Sequence, residues 1–357
     1  MSKIDRAPPR APTLKDVAAK AGVSLATAGR VLRNEAYPVD KGLAERVRQV
    51  ASALGYVPNV LARNLRGGAP SMVGLIIGDM VEPYYAEIAE AITQHAEAGH
   101  RTLAIVCNMQ RDPLLELKYC QQLWEHRVAG LVLAGGGFDQ EEHKAELKAL
   151  LSRMVQSGVI VTALSPRDLS IPEFAADNKE VGKMMAQELI KYGHRKIGIV
   201  AGPPQSPVTR LRVAGAIDAI KKVGGEFEII HSTLNPGAGA AAVGRLVGIR
   251  PDLTGFVVGS GSIALGVLQR LRELGREIPR DASVVSVGNS RLAEWSYPPL
   301  VTIDVRLADC GRQALDYILN KLRGLEARNS ASMTIRVTPG ASVGKPAKRL
   351  IRQAVPQ

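Results

Sequence analysis

Cysteine is scarce in this 357-residue chain: Cys107, Cys120 and Cys310 are all there is. They are odd in number and widely spaced, with no CxxC pair. That excludes a disulfide framework or a cysteine-built zinc site and suits a reducing cytoplasm, where we expect the protein to be found. Aromatic residues make up only 4%. No apolar run approaches the roughly 18 residues of a membrane span. The opening "MSKIDRAPPRAP" has charge and proline but lacks the apolar core of a secretory signal, so it reads as a short flexible tail. The six histidines show no HExxH or other metal spacing. A globular chain of two or three domains remains, expected to need no metal, cofactor or membrane.

Charge is present in excess and unevenly placed. The chain carries a net +12, and residues 1–70 hold twelve Lys and Arg against five Asp and Glu, a net +7. A basic excess confined to a small module points to a polyanion, nucleic acid before an acidic membrane surface. A merely solvated basic face is the plain alternative, and charge alone does not separate the two.

Pattern does. In "TLKDVAAKAGVS", Thr13 is an N-cap with Asp16 three residues on, an approximate capping box. Leu14, Val17, Ala18 and Ala21 then share one helical face, and Gly22 stops the helix. Ser24 caps a second helix, "LATAGRVLR", with Ala28, Val31 and Leu32 inward and Leu25, Ala26, Gly29, Arg30 and Arg33 outward. A third, "KGLAERVRQVASALGY", repeats apolar residues at Val47, Val50, Ala51 and Leu54. Helix, tight turn, helix and supporting helix make the helix-turn-helix plan, whose second helix enters the major groove. Arg30 is placed to take a guanine through O6 and N7, a contact worth about 1–3 kcal/mol of discrimination. Lys15, Thr27 and Arg33 suit phosphates, the Ser24-capped helix end suits one too, and Leu25 and Ala26 suit thymine methyls.

These segments, with "ERVRQVASALGYVPNVLARNLR" after them, resemble the LacI/GalR family of transcriptional regulators across the whole module. Two departures stand out: Ala28-Gly29 where the family usually has Val-Ser, and Arg33 where it has Asn. Gly29 costs the helix about 1 kcal/mol relative to Ala and removes a hydroxyl that could meet phosphate. The resemblance implies that "PNVLARNLRGG", too short to be a stable helix alone, is a hinge helix ordered by the operator. Asn59 would cap it, Ala62 would permit close approach to its dimer mate, and Leu65 would wedge into the minor groove.

From Ser71 onward, apolar strand-like runs alternate with amphipathic helical stretches. "MVGLIIG", "TLAIVC", "GLVLAG" and "VIVTAL" form one set; "KIGIVAG", "EIIHS", "GFVVGS" and "ASVVSVG" form a second. Such runs argue α/β structure with two doubly wound parallel sheets and a crevice at their carboxyl ends. The family resemblance continues through "AADNKEVG", "YGHRKIGIVAGP", "TRLRVAGAIDAI" and "YPPLVTIDV", and implies a fold like the periplasmic binding proteins. The expected division is a tail over 1–12, the helix-turn-helix over 13–58, the hinge over 59–70 and an effector-binding and dimerisation domain over 71–340. Lobe 1 would hold about 71–173 and 305–327, with residues 306–323 as a returning helix. Lobe 2 would hold about 174–302 and 328–340, and 341–357 would be a basic tail. A homodimer on a pseudo-palindromic double-stranded operator is implied as well.

Three partial enzymatic fingerprints fail, and no catalytic residue is assigned. "GSGSIA" over 259–264 fits GxGxxA, yet the next strand ends in Gly288-Asn289-Ser290 without the acid that a dinucleotide site wants. "GASVG" over 340–344 has GxSxG spacing but runs into Lys345-Pro346, not a helix, so Ser342 is read as an ordinary serine in a tail. "GASVGK" is one residue short of a phosphate loop.

By resemblance, the effector cleft would use Arg212, from "TRLRVAG". Ser260-Gly261 stands where the family usually has Asn-Asp, and Val287-Gly288-Asn289 where it has an aromatic followed by acids. With Asp79, Tyr84, Tyr85, Ser260 and Asn289 completing the expected contacts, the cleft keeps its arginine while losing acids. That balance suits a sugar acid or other anionic sugar derivative over a neutral sugar.

Overall fold

The computed structural model describes residues 11–33, 39–57, 72–100, 102–135, 140–288 and 291–347. Asn59, Ala62 and Leu65 of the expected hinge, and Asn289 of the expected cleft, lie outside the described residues. The chain divides into two compact units, Met1–Ala69 and Pro70–Gln357.

In the first unit, α1 (Leu14–Ala21), α2 (Leu25–Arg33) and α3 (Lys41–Leu54) enclose a core of small side chains, among them Val17, Ala28, Val31 and Val47. Helices of 8, 9 and 14 residues are marginal alone; their mutual packing and their caps stabilise them. Thr13 donates its N–H to Asp16 Oδ2 at 2.7 Å, and Asp16 N–H reaches Thr13 Oγ1 at 3.4 Å, closing the capping box. Gly22 ends α1 at φ 68°, a left-handed conformation that disfavours other residues. Gly29 corrects the sequence reading: it is buried, not on the outward face. It lies about one turn before Leu32, on the side of the helix that faces the core.

The second unit begins with β1 (Met72–Ile77), α4 (Pro83–His100), β2 (Leu103–Asn108), α5 (Pro113–Glu125), β3 (Gly130–Leu133), α6 (Glu141–Gln156), β4 (Ile160–Ala163) and β5 (Glu173–Ala175). It continues with α7 (Asn178–Lys191), β6 (Lys196–Ala201), α8 (Pro207–Lys222), β7 (Glu226–His231), α9 (Pro236–Ile249), β8 (Gly255–Val258), α10 (Gly261–Glu273) and β9 (Ser283–Val287). Last come α11 (Arg291–Trp295), β10 (Val301–Asp304), α12 (Leu307–Leu322), β11 (Ser330–Ser332) and β12 (Arg336–Thr338). Two six-stranded sheets result, ordered β11-β5-β4-β3-β1-β2 and β12-β10-β9-β8-β6-β7. The strands pair in parallel except β12, which runs antiparallel to β10. Their central strands are buried on both faces, which explains their unbroken apolar runs.

Each sheet reverses its winding at the same place. In the first, β2 and β3 flank β1; in the second, β7 and β8 flank β6. Such switch points leave an opening at the carboxyl ends of the strands. Between the sheets the chain crosses three times: after β5 into α7, after β10 into α12, and from β11 to β12. Helix α12 packs on the first sheet, with Leu315, Ile318 and Leu319 buried.

Two expected boundaries shift. The first lobe was expected to hand over at 173/174 and again before 328. Instead β5 runs to Ala175, and β11 pairs with it, Ser330 opposite Glu173 and Ser332 opposite Ala175. The last crossing therefore lies between Ser332 and Arg336. Residues 341–347, read from sequence as the start of a tail, are built into the second lobe. Ser342 is fully buried, donating to Val284 O at 2.6 Å while accepting from Val301 N–H at 2.8 Å. Gly344 receives His194 and engages Ser283. The lysines and proline that suggested a tail hid this strand-edge pairing.

Candidate functional site

The outward surface of α2 gathers most of the residues expected to meet nucleic acid. Ser24 Oγ accepts from Thr27 N–H at 3.0 Å and bonds the Thr27 hydroxyl at 2.8 Å, so the cap is made and the helix start is fixed. Leu25, 54% exposed, and Ala26 stand outward in the first turn. Arg30 and Thr27 are half-buried, and Lys15 is exposed on α1. The side chain of Arg33 lies outside the described residues. A helix N-terminus with free backbone N–H groups, flanked by cations, attracts phosphate.

In the second unit, a cavity of about 400 Å³ opens between the lobes at both switch points. Glycine pairs shape its floor. A Cβ on Gly135 would lie 2.2 Å from Gly78 N, and one on Gly259 would lie 3.0 Å from Gly202 N. The loops after β1 and β3, and after β6 and β8, thus close together with no side chain between them.

Arg212 projects from α8 into this cavity and is 9% exposed. Its Nε donates to Asn178 Oδ1 at 2.9 Å and its Nη1 to Gly259 O at 3.2 Å. The Tyr84 hydroxyl lies beside it and favours its charged form. Among the described residues no carboxylate pairs with it. Burial pushes its pKa below the ordinary guanidinium value, and the neighbouring Tyr84 and Tyr85 only partly offset this. Its position follows from helix packing: a Cβ on Gly182 of α7 would fall 1.8 Å from Arg212 O, and one on Gly215 would fall 1.8 Å from Lys179 O. Helices α7 and α8 therefore meet backbone to backbone, which brings Asn178 against the guanidinium.

Facing it from the first lobe, Tyr84 and Tyr85 line the cavity edge to face, with centroids 5.1 Å apart. Both phenols have raised pKa values through burial. Ser260 lines the cavity, but its hydroxyl caps α10 by accepting from Ile263 N–H at 3.2 Å. Asp79 does not line it; its carboxylate faces Arg111 Nε at 3.5 Å, so the expected ligand contact there is corrected to an ion pair.

Sequence reasoning missed several polar lining residues. Arg111, Glu82, Glu87 and Ser262 all reach the cavity. The expectation of a cleft with fewer acids is offset by these two glutamates. Glu82, 7% exposed, has a pKa raised by burial, with the Ser262 hydroxyl and the charge of Arg111 acting against it. Burial and then Asp304 raise that of Glu87. Glu82 stood beside the Pro83-Tyr84-Tyr85 segment and was legible from it; Arg111 gave no signal, being held by the turn after β2. Ser165 also lines the cavity, in a loop tied down by Arg167, which donates to the buried Glu116 at 2.5 Å, itself bonded to His143 at 3.0 Å.

Comparison with known proteins agrees in both units. Residues 13–59 match the family described as bacterial regulatory proteins, lacI family, and residues 186–343 match the periplasmic binding protein-like domain. The transcriptional repressor CytR of Escherichia coli K12 is 27% identical over 317 residues, covering 88% of this chain and 91% of its own. The transcriptional repressor PurR of Haemophilus influenzae (strain PittEE) is 27% identical over 344 residues, covering 95% and 99%. The lac repressor dimer, solved bound to operator and the anti-inducer ONPF, superposes with a TM-score of 0.83 at 22% identity, covering 94% of this chain and all of that one. These relatives are repressors, not enzymes.

Proposed function

We propose that this chain, whose residues 13–59 match the lacI family of bacterial regulatory proteins and whose residues 186–343 match the periplasmic binding protein-like domain, is a cytoplasmic homodimeric repressor released or recruited by an anionic sugar derivative. Two copies would present two α2 helices to the half-sites of a pseudo-palindromic operator, with Arg30 reading a guanine in each. Residues 59–70, outside the described part, would order on the operator, with Asn59 capping, Ala62 at the pair contact and Leu65 as wedge. Domain boundaries near 58 and 70 belong to this reading.

The observation that carries the effector class is Arg212: a buried guanidinium on the cavity wall whose partners are all neutral. A desolvated cation without a counter-ion is costly, and a carboxylate or phosphate entering the cavity would supply one with bidentate geometry. Ligand held by both lobes would favour one lobe arrangement, and operator affinity would follow by linkage.

Gel-shift titration against the promoter beside its own gene tests the DNA reading; absence of sequence preference defeats it. Calorimetry with neutral sugars, sugar acids and sugar phosphates tests the ligand reading. Arg212→Met is expected to abolish acid binding while leaving operator binding in place. Binding of neutral sugars alone overturns the anion class.

A further inference from the structure

Arg212 has a counterpart on the opposite wall. Arg111 reaches the same cavity from the first lobe, where the turn after β2 delivers it. That turn is strained: Gln110 and Arg111 have φ of 53° and 59°, both left-handed and neither glycine. It is held by Arg111 N–H donating to Gly78 O at 2.8 Å and by Asn108 Oδ1 accepting from Gln110 N–H at 3.3 Å. The fold thus maintains an unfavourable backbone in order to present this side chain.

The guanidinium is only partly satisfied. Its Nε faces Asp79 Oδ2 at 3.5 Å, and its carbon sits 5.9 Å from the centroid of the Tyr85 ring. Its Nη2 is buried and has no hydrogen-bond acceptor among the described residues. Such a buried donor is costly to leave unmet. Tyr85 in turn stacks edge to face with Tyr84, which lies beside Arg212. The two guanidiniums therefore bracket the tyrosine pair, one from each lobe. On the same cavity wall the buried Ser165 hydroxyl also lacks a partner, a fit for a ligand hydroxyl.

We propose that the effector is a doubly anionic, hydroxylated molecule, with one acidic group taken by Arg212 of the second lobe and the other by Arg111 of the first. This rests on the anion reading above and narrows it: a single acid would satisfy one lobe only, whereas a two-ended acid ties both together. Two sources share the chemistry, a sugar acid oxidised at both ends and a sugar acid carrying a terminal phosphate.

The test is calorimetry of the full chain with a hexarate, a phosphorylated hexonate, an unphosphorylated hexonate and a neutral hexose, repeated with Arg111→Gln and Arg111→Lys. Circular dichroism and melting temperature verify that the variants fold. At least one dianion is expected to bind tenfold or more tighter than the hexonate. Arg111→Gln should weaken that dianion at least fivefold more than the hexonate, and Arg111→Lys should retain part of the preference. Dianions no tighter than the hexonate, or equal weakening of both by Arg111→Gln, overturns the two-ended ligand while leaving the single-anion reading standing. Binding of the neutral hexose alone overturns both.

Discussion

Glu82 and Ser262 face each other across the cleft, the first in the loop after β1 of one lobe and the second in the first turn of α10 of the other, close enough for the Ser262 hydroxyl to favour the Glu82 carboxylate. With Tyr84 and Arg212 they place two polar pairs between the lobes at the cavity mouth. Glu82 is also a carboxyl whose pKa is raised above 4.5, by burial foremost, while Ser262 and Arg111 act to lower it. As pH falls through that raised value, Glu82 loses its charge and its repulsion of an anionic ligand. Anion affinity should therefore increase toward acid by roughly tenfold, the equivalent of about 1.4 kcal/mol. Calorimetry across pH 4.5–7.5 checks this: Glu82→Gln should flatten the profile, and Ser262→Ala should move it to higher pH.

Arg30→Ala should remove discrimination at one base pair of each half-site. The expected loss is about 1–3 kcal/mol per half-site for the preferred operator, with little change for random DNA. Competition gel shifts at fixed salt distinguish this from a phosphate contact, which would weaken both alike.

Gly182→Ala should drive α7 from α8, because the added carbon would sit 1.8 Å from Arg212 O. Over-packing of this kind costs about 1–3 kcal/mol. A lower melting temperature together with weakened acid binding is expected, the latter because Arg212 moves with α8.

His194 should make the second lobe acid-sensitive. Its Nε2–H donates to Gly344 O at 2.9 Å and its Nδ1 meets the Thr254 hydroxyl at 2.8 Å, so the neutral ring is satisfied. Burial lowers its pKa below 6.5, and the Gly344 bond opposes this only in part. The unfolded chain then takes a proton first as pH falls below 6.5. Stability present above that value is lost on the way down to the depressed folded pKa, at about 1.4 kcal/mol per unit of depression. Thermal melts at pH 7.5 and 5.5 should show a larger fall for the native chain than for His194→Gln.

Much of this was legible in the sequence, for physical reasons. The capping box at Thr13 and the glycine stops at Gly22 and Gly55 are local signals, and local structure obeys them. Eight of the nine longer strands announced themselves as apolar runs because both faces of each sheet are covered; β10 (Val301–Asp304) was not among them. The short strands β5, β11 and β12 did not, since three residues carry no periodicity. Gly29 was misread because a glycine has no side chain whose polarity could declare its face. Arg212 came from resemblance and Glu82 stood beside a segment found the same way, but Arg111 needed the fold: its place depends on the turn after β2 docking on Gly78 O.

The three crossings between the sheets share one edge of the molecule, because β5 pairs with β11 and β10 with β12. A door hung on three pins in line can swing but cannot slide or twist free. Crossings placed side by side favour hinge rotation of the lobes over sliding, with the cavity between the parts that would close. A molecule gripped there exerts leverage on the whole swing, so a small closure at Arg212 becomes a larger displacement at the far ends of both lobes.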